Sequence, residues 1–124
     1  MAKRKVIIMP HKVLPFARAV RAGDFIFTSG AGGTMDTRGN PVEGIEAQTR
    51  QCLEETKQVL QAADSSFGDV VKVTIFLANA DDFAKMNEVY GEYFPKDAPA
   101  RSTVVTGLVR SDMLIEIECV AYKP

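Results

Sequence analysis

Two charged residues near the C-terminal end have the spacing to do chemistry. Arg101 stands in Pro99-Ala100-Arg101-Ser102 and Glu116 in Ile115-Glu116-Ile117-Glu118, each inside a β-prone run. A guanidinium on a strand offers a planar fork of donors that grips a carboxylate with two parallel hydrogen bonds. Hydrogen bonds to charged groups contribute about 1.5–3 kcal/mol each, enough to orient a small acid. A glutamate held opposite that arginine could accept from a water molecule and aim it, which accelerates reactions by roughly 10²–10⁴-fold. If residues 101–106 and 113–122 pair as an antiparallel hairpin closed by Gly107-Leu108-Val109-Arg110, Arg101 falls directly across from Glu116 and Thr103 across from Leu114. A slip of one residue would send the two charges to different faces. On these residues alone, a plain cross-strand salt bridge is the simpler reading.

The elements that must position this pair are legible upstream. Residues 4–9 read as a short strand ended by Pro10, and 17–21 with 25–29 as two strands around the turn Ala22-Gly23-Asp24. The segment 30–41, beginning Gly30-Ala31-Gly32-Gly33, is a long loop, read as a flexible cleft wall. It lacks the helix start and lysine of a phosphate-binding loop. Ile45, Thr49, Cys52, Leu53, Thr56, Val59, Leu60 and Ala63 repeat as one buried helical face. Gln48, Arg50, Gln51, Glu54, Glu55 and Lys57 lie largely off it. Residues 69–78 are almost continuously apolar, as a central strand would be. A second helix follows with Asp81 or Asp82 as N-cap, an apolar face of Phe83, Met86, Val89, Tyr90, Tyr93 and Phe94, and a stop at Pro95. The order ββ(β)αβαββ predicts an α+β domain spanning 1–124, one mixed sheet with two helices on one face. The other sheet face then lacks cover within the chain, and another subunit commonly closes such a face.

Composition narrows the function classes. Fifteen basic and sixteen acidic residues leave a formal net charge of −1, which argues against a broad nucleic-acid footprint. No run approaches the ~20 apolar residues of a membrane span. The basic start Met1-Ala2-Lys3-Arg4-Lys5 is followed by too short an apolar run for a secretory leader, so a cytoplasmic protein is expected. Cys52 and Cys119 have neither metal-ligand spacing nor a histidine partner, and read as small buried hydrophobes rather than a disulfide. His11, the only histidine, reads as a solvated loop residue.

The C-terminal stretch from Pro99 to Ala121 resembles the signature of the Rid family. Further matches are Thr28-Ser29-Gly30 after a strand, Gln48 to Leu53, Gly68-Asp69-Val70-Val71-Lys72, and Asp82-Phe83 with Asn87 and Tyr90. The likeness covers nearly all of the chain from Pro15 onward.

The resemblance implies a chorismate-mutase-like fold, a homotrimer, and a small-molecule site in each cleft between subunits. It implies hydrolytic deamination of reactive 2-imino or enamine acids to 2-oxo acids and ammonia, with no metal or organic cofactor. Arg101 would grip the substrate carboxylate and Glu116 would hold the attacking water. Phe16, Ser29, Gly30, Asn87 and Thr103 would line the cleft, and Glu118 shares a strand face with Glu116. Two residues depart from the pattern of active members: Phe16 stands in place of a tyrosine and Thr103 in place of a cysteine. The lost phenol bears on rate and substrate choice, since imine hydrolysis of this kind needs no thiol nucleophile. Two alternatives remain open: a deaminase for a larger, aminomuconate-like enamine acid, and a non-catalytic trimeric binder of small carboxylic acids. Relatives have also been described as ribonucleases. The near-neutral charge, single histidine and absent basic-aromatic stripe rank nucleic-acid cleavage last.

Overall fold

A computed structural model describes residues 5–124, so the Arg4 end of the first expected strand lies outside the described residues. Six strands and two α-helices follow in the order β1 (Lys5–Pro10), β2 (Ala17–Ala22), β3 (Phe25–Thr28), α1 (Ile45–Ala62), β4 (Val70–Leu77), α2 (Phe83–Tyr93), β5 (Ala100–Val105) and β6 (Ile115–Tyr122). They form one mixed sheet in the spatial order β1-β2-β3-β6-β4-β5. The β1–β2–β3 meander turns at Gly23, whose φ of 59° is left-handed territory that glycine enters without a steric penalty.

The sheet departs from the expected C-terminal hairpin. β5 pairs with β4, parallel, in a register that sets Val73 beside Arg101 and Ile75 beside Thr103. β6 pairs antiparallel with the opposite edge of β4, setting Phe76 beside Glu116 and Val73 beside Cys119. The reason is topological. α2 is a crossover helix, and a strand leaving a crossover runs parallel to the strand that entered it. β5 is therefore the sheet edge, with β4 between it and β6. The short link between β5 and β6 passes the end of β4, where Thr106 N–H donates to Leu77 O (2.9 Å) and Ala78 N–H to Leu114 O (3.0 Å).

Both helices pack on one face. Ile26, Val73, Ile75, Leu77, Ile115, Ile117 and Ala121 are buried there against Cys52, Leu53 and Leu60 of α1 and Met86 of α2. β4 alternates buried with partly exposed positions although its sequence is mostly apolar, because only one of its faces is covered. Val71 is the extra residue of a bulge between Val70↔Ala121 and Lys72↔Val120.

Three local expectations change. Gln48 is buried, not off the apolar stripe: its Nε2 donates to Val42 O (3.0 Å) and Asp112 O (2.9 Å), and its Oε1 accepts from Leu114 N–H (2.9 Å). This amide stitches α1 to two loops. α2 is entered through a 3₁₀ turn capped by Asn79, whose Oδ1 accepts from Asp81 N–H (2.9 Å); Asp82 makes no side-chain cap. The 30–33 glycines permit close packing rather than a loose wall. A Cβ on Gly33 would sit 2.5 Å from Gln48 O and 2.8 Å from Cys52 Sγ.

The uncovered face carries large apolar side chains. Ile7, Val20, Phe27 and Val120 form one row across four strands, and Phe25 faces Tyr122 with ring centroids 5.2 Å apart. Ile7, Phe25, Phe27, Val104 and Tyr122 are each more than two-fifths exposed.

Candidate active site

The candidate residues separate into two groups on opposite sides of the sheet. Side chains paired across strands share a face, so Arg101 and Thr103 belong with Val73, Ile75 and Cys119 on the helix-covered side. Glu116 belongs with Phe76 and Val104 on the open side. The facing pair that a hairpin would have made, and the salt bridge with it, does not exist within one chain.

On the open side the loop after β3 builds up to the carboxylate. Ser29 N–H donates to Arg18 O (2.8 Å), and Ser29 Oγ donates to Ala17 O (2.6 Å). These bonds tie the exit of β3 to the start of β2, directly after Phe16. Ala31 and Ile117 then exchange backbone hydrogen bonds (2.8 and 3.1 Å), which lays Gly30 against β6. A Cβ at position 30 would fall 2.6 Å from Glu116 Cδ, so only glycine admits the carboxylate at this spot. Burial pushes the Glu116 pKa above the usual carboxylate range, and the like charge of Glu118 adds to the rise. Ser29, Gly30 and Glu116 thus form one continuous group, and Phe16 adjoins it in the chain through Ala17, whose carbonyl Ser29 holds.

The other group lies at the β5 edge beneath α2. The Arg101 guanidinium carbon is 4.8 Å from the Tyr90 ring centroid and 5.7 Å from that of Phe83. An arginine lying against an aromatic face gains about 0.5–2 kcal/mol. Among the described residues no carboxylate lies within ion-pair distance of Arg101; the ion pairs present are Arg50–Glu92, Arg110–Asp112 and Lys123–Asp69. Three buried polar atoms, Asn87 Oδ1, Tyr90 OH and Thr103 Oγ1, have no hydrogen-bond partner among the described residues. Thr103 lies two residues from Arg101 on the same strand face, while Asn87 and Tyr90 are a helical turn apart on α2. Buried orphan polar atoms are uncommon and costly.

The sequence reads Tyr90 and Phe83 as apolar helix face and as part of the family likeness, without a role at the site. The three-residue spacing of Asn87 and Tyr90, which puts them on one helix side, was the available signal. Among the described residues no three His, Cys, Asp or Glu side chains converge as a metal site would require. Among the described residues no helix is long and apolar enough to cross a membrane.

The sequence model of the endoribonuclease L-PSP family matches residues 8–123. A RutC family protein of Pyrococcus horikoshii is 47% identical over 92% of this chain and 91% of its own length. Reactive Intermediate Deaminase A of Arabidopsis thaliana, a chloroplastic protein, is 39% identical over 90% of this chain and 60% of its own. Among solved structures, E. coli TdcF with bound serine superposes with a TM-score of 0.87 at 32% identity, covering 96% of this chain and 99% of that one.

Proposed function

This chain belongs to the Rid (endoribonuclease L-PSP) family, and we propose that it hydrolyses reactive 2-imino or enamine acids to 2-oxo acids and ammonia. The observation that carries the reading is the state of Arg101: a guanidinium against two aromatic rings of α2, with no carboxylate partner among the described residues. Such a group is prepared for an anion brought by a ligand. A relative named as a reactive-intermediate deaminase and a structural neighbour holding serine support a substrate of amino-acid size.

Arg101 and Glu116 cannot reach one substrate from opposite faces of one sheet, so the site requires two copies of the chain. We assign the group Arg101, Thr103 and Asn87 to one subunit and Phe16, Ser29, Gly30 and Glu116 to its neighbour, in a homotrimer. The exposed apolar sheet face supports that assembly, since a monomer rarely leaves so large a patch in water.

In the cleft, Arg101 grips the substrate carboxylate and fixes the adjacent imine carbon. Glu116 accepts a proton from water as the water oxygen bonds that carbon, and passes it to the imine nitrogen, giving a carbinolamine. The carboxylate then takes the carbinolamine's hydroxyl proton and delivers it to nitrogen, so that C=O forms as the C–N bond breaks and ammonia leaves. A raised Glu116 pKa strengthens the carboxylate as a base at neutral pH. Ser29 Oγ, already donating to Ala17 O, still has a lone pair with which to accept from the substrate. No cofactor enters this scheme. The free, buried thiols of Cys52 and Cys119 suit a reducing compartment, and the cytoplasm is the location we propose.

The test is a coupled assay in which an amino-acid oxidase or dehydratase generates iminopyruvate or iminobutyrate and a trapping amine reports the surviving imine. The wild type should accelerate imine loss, and Arg101→Ala should not. Equal rates for the two proteins would refute the reading.

Phe16, without a phenol, favours one further reading: a larger or more apolar enamine acid as substrate. Rates that fall steadily as the substrate grows would dismiss it. Carboxylate binding by calorimetry with no turnover would instead identify a non-catalytic binder.

A further inference from the structure

His11 is not a freely solvated loop residue. Its Nδ1 accepts two backbone hydrogen bonds, from Val13 N–H (3.1 Å) and Leu14 N–H (2.8 Å). Its own N–H donates to Phe16 O (2.8 Å), and Phe16 N–H donates to Leu14 O (2.9 Å). Its ring lies against Phe16 with centroids 4.8 Å apart and planes inclined at 39°. One residue thus closes the 11–16 turn with its backbone, its ring nitrogen and its ring face together. Two N–H groups aimed at Nδ1 require a lone pair there, so the neutral ring carries its proton on Nε2.

From this geometry we infer that His11 is a positioning residue of the reaction: it clamps the 11–16 turn and so sets where Phe16 stands in the cleft. The inference rests on the reading above that Phe16 lines the site. The turn needs a clamp because its residues 12–16 are all exposed, Phe16 itself by 42%, and so draw little restraint from the core. Downstream, the Ser29 Oγ–Ala17 O bond already fixes the backbone that leads to Gly30 and Glu116. His11 supplies the matching restraint on the upstream side. The catalytic groups stay where they are when the clamp is lost, so the effect should fall on substrate binding rather than on the chemical step.

Two substitutions separate the parts of the clamp. His11→Asn keeps an acceptor at the δ position for both backbone N–H groups and discards the ring. His11→Phe keeps the ring and discards the acceptor. With the acceptor as the controlling element, His11→Phe and His11→Ala raise KM about tenfold while kcat stays within about twofold, the pattern of lost uniform binding. His11→Asn restores KM to near the wild-type value. An unchanged KM in His11→Ala, or a wild-type KM in His11→Phe, overturns the inference. A wild type that fails to turn over imines refutes the proposed function instead. Nitrogen-15 NMR of the wild type, recorded at a pH where the ring is neutral, gives a second measurement that does not depend on activity or on any variant folding: the tautomer protonated at Nε2 is expected, and the one protonated at Nδ1 overturns the clamp.

Discussion

Arg101 and Glu116 lie on opposite faces of one sheet, with β4 between their strands: Val73 of β4 neighbours Arg101, and Phe76 of the same strand neighbours Glu116. Neither side chain can turn to the other without crossing the sheet. A catalytic reading therefore makes demands on assembly as well as on individual residues.

The first concerns mixed subunits. Arg101→Ala and Glu116→Gln should each lower kcat/KM by two to three orders of magnitude, within the ~10²–10⁴ that such groups contribute. Dissociated and reassembled together in equal amounts, the two inactive proteins should recover about a quarter of wild-type activity. Half of the clefts receive an intact arginine, and half of those an intact glutamate from the neighbour, in any closed ring. A mixture as inactive as its components would mean that the cleft is not shared.

The second concerns the apolar face. Phe27 is 47% exposed within one chain, so Phe27→Glu should cost the isolated fold little. Buried between subunits, that carboxylate would meet an apolar surface without a partner. Sedimentation velocity should show a folded monomer, and activity should disappear with the oligomer. An unchanged assembly would show that this face is not its interface.

The third concerns pH. Glu118 is the second cause of the raised Glu116 pKa, after burial. Glu118→Gln should move the acid limb of the kcat/KM profile to lower pH, while burial keeps it above the ordinary carboxylate range. A limb that stays in place, or moves upward, contradicts the assignment of Glu116 as the base.

Stability gives a fourth prediction with a definite sign. A carboxyl whose folded-state pKa is raised releases its proton more readily from the unfolded chain. Stability therefore falls as pH rises from the ordinary carboxylate value through the raised one. Glu116→Gln removes that penalty, so its melting temperature should exceed wild type at neutral pH, and the advantage should vanish in acid below that window. Thermal melts across pH provide the measurement.

The fifth is structural. Gln48→Leu leaves two carbonyls and one N–H without their partner at a buried position. The expected loss is on the order of 3 kcal/mol in urea unfolding. A loss below about 1 kcal/mol would mean that water replaces the amide.

Periodicity and turn chemistry are local, and they carried the elements. The α1 stripe, the nearly continuous apolar run of β4, the Gly23 turn and the Pro95 stop placed two helices and the strands within a residue or two of their positions. The uncovered sheet face was legible for the same reason. So was the family, through Pro99 to Ser102, Ile115 to Glu118 and the matches before them. Strand order was not. A short link between two strands is the usual mark of a hairpin, and nothing in residues 107–114 reveals that β4 has taken the place between β5 and β6. That choice belongs to α2, which as a crossover helix returns the chain parallel to β4 and leaves β5 at the edge. It is also what sends Arg101 and Glu116 to different faces. Three further relationships belong to the folded chain: the buried amide of Gln48, the rings around Arg101 and the clamp made by His11. Each joins residues whose partners are set by three-dimensional packing, which amino-acid type and spacing do not encode.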